Sequence, residues 1–250
     1  MALNLFDRRA LLFLPASNPR AIAKARSSDA DLVILDLEDA VKPEDKDAAR
    51  EAAVQAVAEP WPMPVAIRIN GAGTQWHGPD VVAAMHSAAP MLVVPRAETH
   101  DELAFVRQQT GRPVAAMIET ARGVLAAHTI AYEAAALIAG TNDLSADLRL
   151  PAGAGRAPLQ AALQLIVLAA RAAGIAVFDG VFNAIGDPDG FAAEAAQSRL
   201  LGFDGKSLIH PDQIALCHAA FAPSADEQTS HAPAHSDTRS PRRSQRSAAT

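Results

Sequence analysis

The stretch Asp31–Val41, "DLVILDLEDAV", decides the fold. It opens as an apolar run, carries Asp36 in its interior, and ends in the neighbouring acids Glu38 and Asp39. An unbroken apolar run of this length is what a parallel strand covered on both faces demands. Carboxylates at the end of such a strand cost several kcal/mol, of order 3, to bury unless something pairs with them. Strand alternation puts Asp36 and Glu38 on one face, with Asp39 past the strand end. Asp36 is therefore expected to pair with a cation inside the fold, and Glu38 and Asp39 to stand at its rim.

Seven further runs of the same kind flank it. They are "ALLFLP" (Ala10–Pro15), "PVAIRIN" (Pro64–Asn70), "MLVVP" (Met91–Pro95), "PVAAMIE" (Pro113–Glu119), "AALIAG" (Ala135–Gly140), "GIAVFD" (Gly174–Asp179) and "GKSLIH" (Gly205–His210). Each is short, apolar and bounded by Gly, Pro, Asp or Asn, which reads as a strand. Helical segments alternate with them. Pro43–Glu59 opens with Pro and acids and carries an alanine-rich face. Thr99–Gln109 has a Thr cap with Glu102 three residues on. Leu159–Ala173 stops at Gly174, and Asp187–Leu201 and Pro211–Phe221 close the series. Strand and helix alternating about eight times predict an α/β fold, a (β/α)8 TIM barrel forming a single domain over residues 1–222. An open doubly wound sheet is the alternative, weakened because no G-x-G-x-x-G follows the first strand. Past Phe221 the chain turns to Ser, Ala, Pro, Arg and His, and residues 223–250 are expected to be a disordered tail.

Bulk properties narrow the function. The chain has 250 residues, half of them hydrophobic, and a formal charge of −6; it lacks the basic bias of a nucleic-acid binder. No apolar run reaches membrane-span length, and the N-terminal apolar patch ends at Pro15 without a cleavage-site pattern. The lone cysteine, Cys217, forms no disulfide framework or zinc spacing and is expected in the core. A cytoplasmic protein with no nucleic-acid or membrane partner is expected.

In a barrel, chemistry sits at the C-terminal strand ends. The polar residues there are Asp36, Glu38 and Asp39; Arg68 and Asn70; Arg96; Glu119; Asn142 and Asp143; Asp179; and His210. Glu119 and Asp143 close consecutive strands, so both are expected at one mouth. Two hard carboxylates suit Mg2+, which keeps its remaining positions for water and substrate. Taken singly, each is better explained by helix capping, Asp143 as an N-cap and Glu119 as a first-turn acid. Arg68 interrupts an apolar strand and needs an anion, either the acids of the second strand or a substrate carboxylate gripped by its fork. His210 is expected to orient the last loop; His77, His86 and His128 show no metal spacing.

These motifs are similar to a known family. The chain resembles the citrate lyase β-subunit-like proteins of the HpcH/HpaI aldolase superfamily in "RALLFLPASNPR" (Arg9–Arg20), "DLVILDLEDAV", "AIRING" (Ala66–Gly71), "VVPRAET" (Val93–Thr99), "MIETARGV" (Met117–Val124), "GTNDLSADL" (Gly140–Leu148), "FDGVFNAIGD" (Phe178–Asp187) and "GFDGKSLIHPDQI" (Gly202–Ile214). The resemblance implies a barrel acting as a homo-oligomer, a trimer or hexamer, that uses Mg2+ to break or form a carbon–carbon bond in 3-hydroxy acid CoA thioesters such as citryl-, malyl- or citramalyl-CoA. It implies Glu119 and Asp143 as metal ligands, Arg68 and Glu119 as contacts to the oxo acid, and Arg68, Glu38 and Asp39 as the catalytic set. Arg96 stands where the family usually has lysine. Some members carry a C-terminal lid beyond the last barrel helix, a segment with no recognisable counterpart after Phe221. The alternatives are an aldolase acting on free 2-oxo acids and aldehydes, or a subunit active only in a larger complex with an acyl-carrier partner.

Overall fold

The computed structural model describes residues 3–223. The expected tail lies outside the described residues apart from Pro223. Eight parallel strands close into a barrel in sequence order, β1 (Ala10–Pro15), β2 (Leu32–Asp36), β3 (Val65–Arg68), β4 (Met91–Val94), β5 (Val114–Ile118), β6 (Ala136–Ala139), β7 (Ala176–Asp179) and β8 (Gly205–Leu208), with β1 paired to β8. Closure removes the open-sheet alternative. The helices are α1 (Pro19–Ala25), α2 (Lys46–Ala58), α3 (His77–Met85), α4 (His100–Thr110), α5 (Ala121–Ala131), α6 (Thr141–Asp147), α7 (Gln160–Ala173), α8 (Pro188–Leu201) and α9 (Gln213–Phe221).

Alternation along the strands sorts the core into two layers. Leu11, Leu32, Ile34, Ala66, Met91, Val93, Ala115, Met117, Ile138 and Phe178 fill the barrel interior. Their neighbours Leu12, Val33, Leu35, Val65, Ile67, Leu92, Val114, Ala116, Leu137 and Val177 pack against the helices. Both faces are dry, which is why the strands read as continuous apolar runs. Each fully buried Leu, Ile or Phe contributes about 1.5–3 kcal/mol.

The helix ends follow their chemistry. Thr99 and Glu102 complete the capping box of α4, and Asp187 caps α8 by accepting from Gly190 N–H. Gly174 takes the left-handed conformation (φ 70°) that ends α7. The helix expected from Pro43 instead begins with a 3-10 turn, Pro43–Asp45, and becomes α-helical at Lys46.

One strand-end residue departs from expectation. Asp179 does not face the mouth. It shares the outward parity of Val177, is fully buried, and meets Arg156 Nη2 at 2.7 Å and Lys206 Nζ at 2.6 Å in the layer under α8. Burial alone would raise its pKa, but Lys206 and Arg156 hold it below the usual carboxylate value. Asp179 is a structural tie between β7, β8 and α8.

Candidate active site

The catalytic end of the barrel opens into a cavity of about 370 Å3. Arg68 and Asp36 form its base. They are directly opposite in the β2–β3 register, and alternation turns both inward with Ala66 and Ile34. Arg68 Nε meets Asp36 Oδ1 at 2.6 Å and Nη2 meets Oδ2 at 2.7 Å. Asp36 also accepts the N–H groups of Glu38 (2.8 Å) and Ala40 (2.9 Å), so it shapes the turn that carries the rim acids. Phe13 lies under the guanidinium, 5.2 Å from ring centre to Cζ. Burial works against the charge on Arg68, yet Asp36 holds its pKa above the ordinary value. The pairing with the second-strand acids is thus the one observed: the Nε/Nη2 fork is spent on Asp36, and the Nη1 end is turned toward Glu38, Asp39 and the Met117 sulfur.

The rim acids are unequal. Glu38 Oε2 lies 2.9 Å from Arg68 Nη1 as an ion pair without aligned hydrogen-bond geometry. Burial pushes its carboxyl up to about 8, against the pull of Arg68. Asp39 is 63% exposed, lines the cavity, and sits 3.7 Å from the same Nη1. β2 ends at Asp36, two residues short of Glu38, so strand alternation does not carry Glu38 into the cavity lining beside it.

Lys46 holds this rim in place, a role that the sequence reading missed. Its Nζ donates to Leu37 O, Glu38 O and Asn70 Oδ1, each at 2.7 Å. Asn70 is fixed in turn by Asp80, which accepts from its backbone N–H (2.8 Å) and its amide, while His77 Nδ1 lies 2.8 Å from Asn70 O. Burial lowers the pKa of Lys46, with Asp36 and Glu38 opposing. A cation in the first turn of a helix is disfavoured by the helix dipole; that mismatch was the one signal in the sequence.

Glu119 and Asp143 both line the cavity. Capping does not explain Glu119, whereas Asp143 lies in the first turn of α6, where the helix dipole favours an acid. Thr120 caps α5 and Gly140 begins α6. Glu119 is 1% exposed and its Oε1 accepts the N–H of Arg96 at 2.6 Å. Arg96 offers that N–H from a left-handed backbone (φ 48°), a conformation costing a non-glycine residue about 1 kcal/mol. Its side chain is exposed, and its charge lies near enough to Asp143 to oppose the upward shift of that carboxyl. Glu119 Oε2 is buried with no hydrogen-bond partner. A Cβ on residue 140 would overlap the Glu119 carboxylate, so glycine there makes the space. Burial raises Glu119 to about 7, the Arg96 N–H opposing it and Asp143 adding to it. Asp143 is raised by burial and then by Asp39.

The donor set fits a hard divalent cation. An orphaned carboxylate oxygen faces a second carboxylate in an acidic cavity, and two protein ligands leave positions for substrate. Among the described residues no group of three or more His, Cys, Asp or Glu side chains is placed to hold a metal. His210 lies outside this centre and accepts the Asp212 N–H at 3.3 Å, ordering the last loop as expected. Cys217 is buried in the core, where burial pushes its thiol up to about 12.

A (β/α)8 barrel whose mouth joins an anchored arginine to two carboxylates suited to a divalent cation has the arrangement expected of the barrel lyases and aldolases. The match is specific. The family model for HpcH/HpaI aldolase/citrate lyase covers residues 9–211, and the chain belongs to that family. It is 39% identical to the (3S)-malyl-CoA thioesterase of Cereibacter sphaeroides, over 88% of this chain and 79% of that one. It is 34% identical to the citrate lyase subunit beta of Leuconostoc mesenteroides, over 88% and 78% respectively. The crystal structure of CitE from Mycobacterium tuberculosis in complex with magnesium, acetoacetate and coenzyme A superposes with a TM-score of 0.80 at 34% identity, covering 89% of this chain and 84% of that one. The protein is a lyase by family. No helix among the described residues is long and apolar enough to cross a membrane.

Proposed function

We propose that this protein is a Mg2+-dependent carbon–carbon lyase that cleaves or forms a 3-hydroxyacyl-CoA thioester, giving a short 2-oxo acid and an acyl-CoA. The observation that carries the reading is the unpartnered Glu119 Oε2 beside Asp143, across the cavity from the anchored Arg68. Relatives named for malyl-CoA and citrate chemistry, and a structural neighbour holding magnesium, acetoacetate and coenzyme A, support it.

Glu119 and Asp143 hold the metal, which supplies a Lewis acid for the oxygens of the oxo-acid fragment. The Nη1 end of Arg68 attracts the oxo-acid carboxylate, while Asp36 keeps the guanidinium plane fixed. Asp39, the rim acid that lines the cavity, accepts the 3-hydroxyl proton. The hydroxyl oxygen then forms the new carbonyl, the carbon–carbon bond breaks, and its electron pair passes to the acyl thioester as an enolate. The proton returns from Asp39 to the enolate carbon, so atoms and charge balance. Glu38, against Arg68 and away from the cavity lining, is a positioning residue. A homo-oligomer accords with the exposed Leu125, Leu165 and Leu168 on α5 and α7, and a cytoplasmic location belongs to the same reading; light scattering measures the oligomeric state.

The test is a panel of citryl-, malyl- and citramalyl-CoA with excess Mg2+ or excess chelator, run beside the free acids. Mg2+-dependent release of a 2-oxo acid from one thioester is expected, and activity persisting in chelator overturns the metal assignment. Thioester hydrolysis is a second reading, favoured by the name of the 39%-identical relative. Release of free CoA together with the intact hydroxy acid would select it; acyl-CoA together with an oxo acid selects the lyase.

A further inference from the structure

One buried polar group of the cavity lining has neither a hydrogen-bond partner nor a role in the chemistry above. Ser207 lies on β8, is 1% exposed, and its Oγ is buried without a hydrogen-bond partner. The register fixes where it points. Ala10, Leu11 and Leu12 of β1 stand opposite Lys206, Ser207 and Leu208. Ala10, Leu12 and Leu208 belong to the layer under the helices, whereas Leu11 belongs to the barrel interior. Ser207 therefore projects inward, and it forms part of the cavity lining.

The cavity is divided by chemistry. Asp36, Asp39, Arg68, Glu119 and Asp143 come from the β2, β3, β5 and β6 sides. On the β1, β7 and β8 sides the lining includes Phe13, Leu14, Val181 and Ile209, with Ser207 among them. A buried hydroxyl lacking an acceptor lowers stability and gives the fold nothing in return. Because it faces the cavity, this hydroxyl is free to bond a ligand there. The charged side suits the metal and the anionic oxo acid. The apolar side suits the uncharged thioester half; of the neutral donors there the Asn183 amide is paired with Asn142, and the unpaired Ser207 hydroxyl matches a neutral carbonyl oxygen, where an anion would call for a cation.

We propose that the Ser207 hydroxyl donates a hydrogen bond to the acyl carbonyl oxygen of the thioester half of the substrate. This rests on the lyase reading and adds the group that reads its acyl end. The bond strengthens as that oxygen takes up enolate charge, so it contributes more to turnover than to binding.

Ser207→Ala tests it, because the variant removes only an unpartnered oxygen and should fold. Urea midpoint, Mg2+-supported pyruvate binding, acetyl-CoA binding and thioester turnover are compared with wild type. Expected are an unchanged or higher midpoint, unchanged pyruvate affinity, acetyl-CoA affinity weaker by a few-fold, and kcat lower by about tenfold. Equal acetyl-CoA affinity and equal kcat would overturn the proposal. So would a loss confined to pyruvate, which would move the hydroxyl to the oxo-acid half, or a lowered midpoint, which would make Ser207 a packing residue. The two readings fail separately. A wild type that cleaves no thioester but binds acetyl-CoA in a Ser207-dependent way retires the lyase and keeps the contact. A wild type that cleaves, with an indifferent Ser207→Ala, does the reverse.

Discussion

Arg68 and Asp36 are register partners on adjacent strands, and their two hydrogen bonds, 2.6 and 2.7 Å, form a closed fork inside the barrel mouth. The pair sets the plane of the guanidinium before any substrate arrives. Arg68→Ala strands a buried Asp36 and should cost about 3–5 kcal/mol in a urea titration. Arg68→Lys keeps the charge but cannot reproduce the fork. Its stability loss should be smaller, while kcat/KM falls at least about 100-fold. A lysine variant with wild-type activity would show that charge alone suffices.

The proposed metal site makes a prediction that needs no substrate. Mg2+ should raise the thermal midpoint of the wild type, because a ligand that binds only the folded state stabilises it. Glu119→Gln and Asp143→Asn should each abolish that rise. Gly140→Ala tests the geometry instead of the ligand: the added Cβ would displace the Glu119 carboxylate. It should weaken Mg2+ binding at least about tenfold while leaving both carboxylates in the chain. Undiminished Mg2+ affinity in Gly140→Ala would show that Glu119 is not held where the ligand must be.

Glu38 gives a pH dependence with a definite sign. Its carboxyl is raised by burial from 4.5 to about 8 in the folded protein. A group raised on folding binds its proton more tightly in the folded state, so its stabilisation is complete below pH 4.5 and is lost as pH rises through about 8. In chelator, wild type should lose on the order of a few kcal/mol between pH 5 and 9 from this group. Glu38→Gln should flatten that slope and gain on wild type at pH 9. Parallel curves for the two proteins would place the Glu38 proton elsewhere.

Lys46 should behave as a clamp with little tolerance. Lys46→Met leaves the Leu37 and Glu38 carbonyls and the Asn70 amide without their shared donor, a loss of about 3 kcal/mol. Lys46→Arg should not restore it, since a planar guanidinium cannot direct three N–H groups to the oxygens around one ammonium. Denaturant midpoints of the two variants decide this. Activity should fall further than stability requires, because Glu38 and Asp39 ride on the clamped turn.

Local pattern carried a large share of this molecule. Apolar runs bounded by Gly, Pro and Asp gave every strand within two residues at each end, because a strand buried on both faces needs only continuous hydrophobicity. The Thr99–Glu102 box and the stop at Gly174 were equally legible, since a cap is chemistry between residues three or four apart. Glu119, Asp143 and Arg68 were found by standing at strand ends. The same rule misplaced Asp179, because a strand's last residue faces in or out according to parity, and one residue reverses the side.

The sequence by itself determined the alternation of strand and helix, the acids and arginine available to the mouth, and the family. Tertiary structure decided which side each one faced and whom it met. Asp36 spends Arg68's fork only because β2 and β3 align in that register. Glu119 reaches the mouth only because a glycine, Gly140, follows the next strand. Lys46 and Ser207 acquire roles only when α2 is laid against the β2 turn and β8 is closed onto β1. Those pairings join residues distant along the chain, and a hydrogen bond, a desolvated charge or an orphaned oxygen is fixed by what lies within a few ångströms in space, which no local pattern records.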